Sequence, residues 1–329
     1  MSEGLTNGGL SRTYSSTWIS IDTPCVAQNK RNTCLSMSYD RDWRGWEEGQ
    51  VEPYETNLPS LLKTLHVLQP YLKDIVICGG WVPVLYRRYL KLPFRQPPLL
   101  TKDIDVVVPR RLSDEDRPTV DELLRQADYE VHLYGSDNPP VTKYKLSTPA
   151  TEIEFLTPAV GRPTTAALTV QQGLTAQQLR YLSLLLDNVM ELRVTDSLAD
   201  MSVDLTVRVP IPGAFVYQKG LVLDRGVSRG KLAKDLYYIF EVLDCYAGST
   251  EDNLLAQLDT VRRTGIPRWF TAFRNNLESY FIGDPSKGPV LVATQYAGPM
   301  PEQTFILYVQ RTFEDFIGGL REMTSRGST

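Results

Sequence analysis

The sequence predicts an α+β protein, a mixed β-sheet core with flanking helices, followed by a mostly helical C-terminal domain. Three observations predict it. Apolar runs of strand length occur at 75–78, 104–108 and 151–157, each bounded by Gly, Pro or polar residues. Ahead of the first run, leucines recur at helical spacing. From about residue 251 onward the pattern is helical throughout. The expected division is an irregular arm over 1–55, a sheet-containing domain over 56–211 and a helical domain over 212–329.

In chain order, 1–55 is rich in Ser, Thr, Asn, Asp and Gly but carries Trp18, Tyr39, Trp43 and Trp46, too many aromatics for plain disorder. Leu58, Leu61, Leu62, Leu65, Leu68 and Leu72 predict a helix over 57–72. Ile75 to Cys78 read as a strand ending on Gly79-Gly80, and an amphipathic helix is expected over 81–92, followed by a Pro-rich loop. The next strand carries Asp103 and Asp105. A helix over 113–128, with Ser113 as its N-cap, precedes strands at 129–134, 142–146 and 151–157. Helices are expected over 251–264, 267–281 and 301–323, with a Gly- and Pro-rich connection over 283–298.

The chemistry concentrates around Gly79, Gly80, Asp103 and Asp105. Strand side chains alternate between faces, so Asp103 and Asp105 share one face while Ile104, Val106 and Val108 take the other. Two close carboxylates repel unless a cation lies between them, and hard oxygen donors suit Mg²⁺ or Mn²⁺. A glycine pair lets a ligand approach the backbone, and the amides opening the next helix favour an anion such as a triphosphate. Taken singly, Gly-Gly before a helix is most often a plain turn, and an Asp-x-Asp is often a solvated strand edge. The combination, strand, Gly-Gly, helix, then Thr101-Lys102-Asp103-Ile104-Asp105, is the informative feature.

That combination resembles the nucleotidyltransferase superfamily, in the branch that holds the AbiEii-type toxins. Further segments follow in the family's order: 155–162, then 176–182 as a helix continuing to 186. A strand exit at 207–212 leads into a helix over 213–223 bearing Lys219, and Lys231, Lys234 and Asp235 match a K-x-x-K-D helix. The resemblance implies transfer of a nucleoside monophosphate from an NTP, with release of pyrophosphate, to an acceptor hydroxyl. Asp103, Asp105 and a third carboxylate would hold Mg²⁺ or Mn²⁺. Glu152 and Glu154 share a strand face, and the resemblance favours Glu154. Gly79, Gly80, Lys102, Lys219, Lys234 and Asp235 would hold the nucleotide. At helical spacing Lys231, Lys234 and Asp235 point the same way, toward a cationic face or a plain solvated one. The branch further implies an RNA acceptor such as the tRNA 3′ end, a toxin role and an antitoxin partner. The rivals are a small-molecule or protein acceptor, and a non-catalytic nucleotide- or RNA-binding protein of the same fold.

Composition sets limits. At 329 residues the chain can bury a sizeable core. A formal charge of −4 excludes a uniformly basic surface, so RNA binding would need a local patch. Arg87, Arg88, Lys91, Arg95, Lys102, Arg110 and Arg111 supply the candidate patch. Cys25, Cys34, Cys78 and Cys245 lack zinc-ligand spacing, and His66 and His132 are the only histidines. His66 is expected to pack in its helix. Reduced thiols point to a cytoplasmic protein. No apolar run approaches the roughly 18 residues of a membrane helix.

Overall fold

The computed structural model describes residues 55–92, 94–99, 101–113, 115–147, 150–161, 165–198, 201–223, 228–246, 254–282 and 286–325. The arm expected over 1–55 lies almost wholly outside them, as do Cys25 and Cys34.

Helix α1 (Leu58–Val67) has Pro59 in its first turn and buries Leu58, Leu61, Leu62 and Leu65. It stops short of the expected residue 72 because Pro70 lacks an N–H and disfavours helix before it. A 3-10 turn, Gln69–Tyr71, completes the segment. His66 is exposed near the end of α1, so the packing role expected for it does not hold. Strand β1 (Val76–Cys78) runs through Gly79-Gly80 into α2 (Trp81–Tyr89), and β2 (Ile104–Val107) returns antiparallel to β1.

The next helix differs from expectation. It is α3 (Val120–Gln126), capped by Thr119 rather than Ser113. Thr119 accepts from the Glu122 amide while Glu122 reaches back to the Thr119 amide, a reciprocal capping box. Pro118 accounts for the late start, since it cannot sit inside a helix begun at 113.

Strands β3 (Glu130–Tyr134), β4 (Val141–Leu146) and β5 (Thr151–Pro158) lie where strands were expected and form an antiparallel meander. The segment expected to be helical over 176–186 instead begins as a strand. Strands β6 (Ala167–Gln171) and β7 (Leu174–Leu179) form a hairpin whose turn places Gly173 at φ 78°, and only the short α4 (Ser183–Asp187) follows. A Cβ on Gly173 would also lie 2.8 Å from the Asp121 Cβ. Strands β8 (Val189–Leu198) and β9 (Met201–Pro210) form a second, two-stranded sheet, of which the sequence reading anticipated only the exit near 207–212.

Among the described residues, seven strands form the main sheet, with the path β1-β2-β5-β4-β3; β7 joins β5, and β6 joins β7. The β2–β5 and β5–β7 pairs are parallel and the rest antiparallel, so the sheet is mixed and the fold is α+β.

Helices α5 (Pro212–Leu221), α6 (Arg229–Tyr246), α7 (Leu254–Thr264), α8 (Pro267–Phe281), α9 (Gly288–Ala293) and α10 (Glu302–Ser325) complete the chain. The expected connection over 283–298 therefore contains a helix. Nearly every residue of α5 is buried, and Tyr217 sets its ring edge-on against Phe270 and Phe273 of α8. One apolar core runs from α1 through the sheet to α10. On the opposite sheet face a smaller cluster joins Val76, Cys78, Val107 and Leu156 to Leu182 and Leu185. That second face carries the polar residues of interest.

Candidate active site

Alternation places Ile77, Ile104, Val106, Ile153 and Phe155 in the main core. It turns Cys78, Asp105 and Glu154 to the other face. Register then brings them side by side. Cys78 is opposite Asp105, Asp105 opposite Glu154, Glu154 opposite Lys143, and Lys143 opposite His132. A single row of five residues thus crosses β1, β2, β5, β4 and β3.

Asp105 fits under the glycine turn. Gly79 has φ 69°, a conformation that side chains other than glycine adopt at a cost, and a Cβ there would lie 1.9 Å from Asp105 Oδ2. Gly80 precedes α2, which has no side-chain cap. A Cβ at Gly80 would meet Tyr238 Oη at 2.5 Å and Thr101 Oγ1 at 2.8 Å. Both glycines are therefore required by close packing around the acid strand.

Burial and the neighbouring Glu154 push the Asp105 carboxyl up to about 6, with Asp103 adding in the same direction and Lys219 and Lys231 opposing. Asp103 itself is exposed just before β2. These carboxylates form an excess of negative charge on one face, with oxygen donors only, and that donor set fits a hard divalent cation. Among the described residues, however, no three His, Cys, Asp or Glu side chains are already gathered as a cation site. Lys143 lies against two of the acids. Its ammonium hydrogen-bonds both Glu154 and Glu152, at 2.6 Å to the latter, while Lys145 holds the other Glu152 oxygen at 3.0 Å. Against the cost of burial, the hydrogen bonds from Lys143 and Lys145 pull Glu152 down to about 2. Glu152 is thus committed to lysines, whereas Glu154 stands between Lys143 and Asp105.

Lys219 comes from α5 and Asp235 from α6, and they form an ion pair of 2.6 Å. Burial opposes the Lys219 charge, yet Asp235, with Asp105 and Cys78 beyond it, outweighs burial and holds its pKa above the usual value. The Lys219 ammonium also lies 5.3 Å from the Tyr238 ring centre and 5.8 Å from that of Phe215. It is a fixed positive charge behind Asp105.

The K-x-x-K-D helix divides differently from its spacing. Asp235 is buried against Lys219, while Lys231 and Lys234 are exposed. Of these two lysines, Lys231 is the one whose charge reaches Asp105. Lys102 is exposed beside Asp103.

The basic residues proposed for RNA are not equivalent. Arg87 donates to the Gln96 carbonyl at 2.5 Å and lies 3.9 Å from Glu241. Arg88 pairs with Asp196 at 2.8 Å, and Arg95 lies 3.8 Å from Asp244. Arg110 bonds the Pro158 carbonyl and Gln178, each at 2.8 Å. These four make contacts within the chain, although Arg95 and Arg110 are exposed, as are Lys91, Lys102 and Arg111.

A family model described as nucleotidyltransferase matches residues 57–260, more than half of the chain. The chain belongs to the nucleotidyltransferase family. As a nucleotidyltransferase, it places its family-matched span from α1 to α7, around the Asp105 row. The comparison with curated proteins found no match. Among solved structures, it is similar to an antigenic nucleotidyltransferase-like protein from Paracoccidioides brasiliensis, at 19% identity and TM-score 0.32, covering 66% of this chain and 92% of that one. It is also similar to JHP933 from Helicobacter pylori, at 10% identity and TM-score 0.36, covering 84% and 95% respectively.

The sequence reading of this nucleotidyltransferase missed Lys143 and Tyr238. A signal for Lys143 was present. Lys143 and Lys145 alternate along β4 as Glu152 and Glu154 do along β5, and a short connection between them forces the pairs to face each other.

Proposed function

We propose that the protein transfers a nucleoside monophosphate from an NTP to an acceptor hydroxyl, releasing pyrophosphate. The observation that carries this reading is the in-register pairing of Asp105 with Glu154 beneath Gly79. Asp103, Asp105 and Glu154 would hold Mg²⁺ or Mn²⁺. When bound, the cation supplies charge neutralisation at the phosphates and lowers the barrier to in-line displacement.

The chain's own residues then have distinct tasks. The Gly79-Gly80 turn lets phosphate oxygens approach backbone amides at the start of α2. Lys219 fixes a positive charge behind the acids, and Asp235 keeps that lysine in place and charged. Lys231 and Lys102 are the exposed cations able to reach a triphosphate, with Lys234 on the same side of the helix as Lys231 at one turn's distance. Glu154, released from Lys143, is positioned to accept the proton of the attacking hydroxyl.

Within the family, the likeness of the motifs to the AbiEii-type branch favours an RNA acceptor, the tRNA 3′ end among them, with a toxin role and an antitoxin partner. The test is direct. The protein is incubated with each labelled NTP, Mg²⁺ and total RNA, and the label is located. Labelled RNA that disappears in Asp105→Asn supports the reading; no labelled product with any NTP and RNA, small-molecule or self acceptor overturns it.

One observation favours a second reading. Lys143 already neutralises Glu154, as a nucleotide- or RNA-binding protein without turnover would tolerate. Saturable NTP binding with no labelled product would select it.

A further inference from the structure

The row Asp105–Glu154–Lys143 sets a conflict that the proposed transfer reaction must resolve. Glu154 has one carboxylate and two claimants. Its strand neighbour on one side is Asp105, and on the other is Lys143. While Glu154 Oε1 bonds Lys143, that oxygen is taken and the charge partly neutralised, so the lysine competes with a cation for this carboxylate.

The lysine has somewhere else to go. Glu152 accepts from Lys143 through Oε1 at 2.6 Å and from Lys145 through Oε2 at 3.0 Å. The Tyr134 ring centre lies 4.6 Å from the Lys143 ammonium and 5.3 Å from that of Lys145. If Glu154 turns away, Lys143 keeps a carboxylate and an aromatic face. Among the described residues Lys145 is held by Glu152 and Tyr134 and has no bond to Glu154. The two lysines share a strand and a charge, yet only one of them touches the acid that faces Asp105.

We propose that Lys143 is a displaceable counter-cation: it holds Glu154 in the metal-free protein, yields it to a divalent cation at Asp105, and is retained by Glu152 when it does so. This inference rests on the transfer reading, because it assumes that a divalent cation binds between Asp105 and Glu154. Lys143 is a positioning residue. It acts through Glu154 and sets the affinity for the cation.

The experiment measures Mn²⁺ binding to the full-length protein without NTP, by the loss of the free-ion signal in electron paramagnetic resonance. Removing a charge-assisted competitor predicts that Lys143→Met binds Mn²⁺ about tenfold more tightly than wild type. Lys145→Met removes the same charge nearby without freeing Glu154, and should stay within about twofold. Lys143→Arg keeps the competitor and should stay close to wild type; Lys143→Gln, which removes the charge but stays polar, should show the same gain and serves if the methionine variant fails to fold. Unchanged or weaker binding in Lys143→Met, or an equal gain in Lys145→Met, overturns the proposal. Asp105→Asn separates the two levels. If it abolishes Mn²⁺ binding while Lys143→Met changes nothing, only the role of Lys143 fails. If it leaves binding intact in both backgrounds, the cation lies elsewhere, and the transfer reading falls with the proposal.

Discussion

Asp105 on β2 and Glu154 on β5 stand directly opposite each other in a parallel pair of strands. Like charges at such a position oppose one another, and the pair persists because Lys143 and Lys219 flank it and because Asp105 is pushed up toward neutrality. Structural economy would favour an apolar pair here. The arrangement is one that a bound cation would relieve.

Charge removal at this pair should separate activity from folding. Asp105→Asn should lower transfer by at least about a hundredfold with no loss of thermal stability, because a repulsive partner is gone. Glu154→Gln should slow turnover more than it weakens NTP binding. Glu152→Gln should cost less activity, since Glu152 is taken up by two lysines. Single-turnover rates beside NTP titrations decide this, and a larger loss for Glu152→Gln would assign the third carboxylate to it.

Gly79→Ala meets two obstacles, the positive φ and the Asp105 carboxylate at 1.9 Å. It should destabilise by roughly 2–4 kcal/mol and abolish transfer. Urea unfolding measures the first effect. A wild-type unfolding midpoint would show that the turn has room to relax.

Lys219→Met leaves Asp235 buried without its partner, which should cost about 3–5 kcal/mol. Replacing both, as Lys219→Met with Asp235→Leu, should recover most of that stability and none of the activity. A double variant as unstable as the single one would show that packing, rather than the stranded charge, dominates.

Glu241 predicts a pH dependence. It is fully buried on α6, neither carboxyl oxygen has a hydrogen-bond partner among the described residues, and Arg87 lies 3.9 Å away. Burial pushes its pKa up to about 8, with Arg87 opposing and Asp244 reinforcing. The folded protein therefore keeps a proton that the unfolded chain gives up from an ordinary value of 4.5. Stability falls as pH rises between about 4.5 and about 8. Asp244, also raised by burial, adds a slope of the same sign, while Tyr237 and Tyr238 are pushed upward and stay protonated. Glu241→Gln should flatten part of this fall and be more stable than wild type at pH 9. Parallel melting curves from pH 5 to 9 test it.

If the acceptor is RNA, Lys91→Ala with Arg111→Ala should reduce the salt dependence of RNA binding by about one unit per lost phosphate contact. Arg87→Ala should instead lower stability, because its guanidinium serves Gln96 and Glu241. Salt-insensitive RNA binding by the wild type would count against a polyanionic acceptor.

The sequence by itself determined the local pieces. Period-two alternation placed Asp105 opposite the apolar core, the glycine pair marked the turn, leucine spacing marked α1, and the helical pattern after residue 251 marked the last helices. These are properties of one segment at a time. Where a reading rested on resemblance alone, as for the helix over 176–186, the chain built a hairpin, because Gly173 offers the turn and Leu174 and Ala176 alternate into the core. Only the tertiary structure decided which charges meet. Strand register chose Glu154 over Glu152 as the neighbour of Asp105 and set Lys143 on its other side. The packing of α5 against α6 turned Asp235 inward onto Lys219, away from Lys231 and Lys234. Pairings of this kind join residues tens of positions apart. Their partner depends on register and crossing geometry, which no single segment encodes.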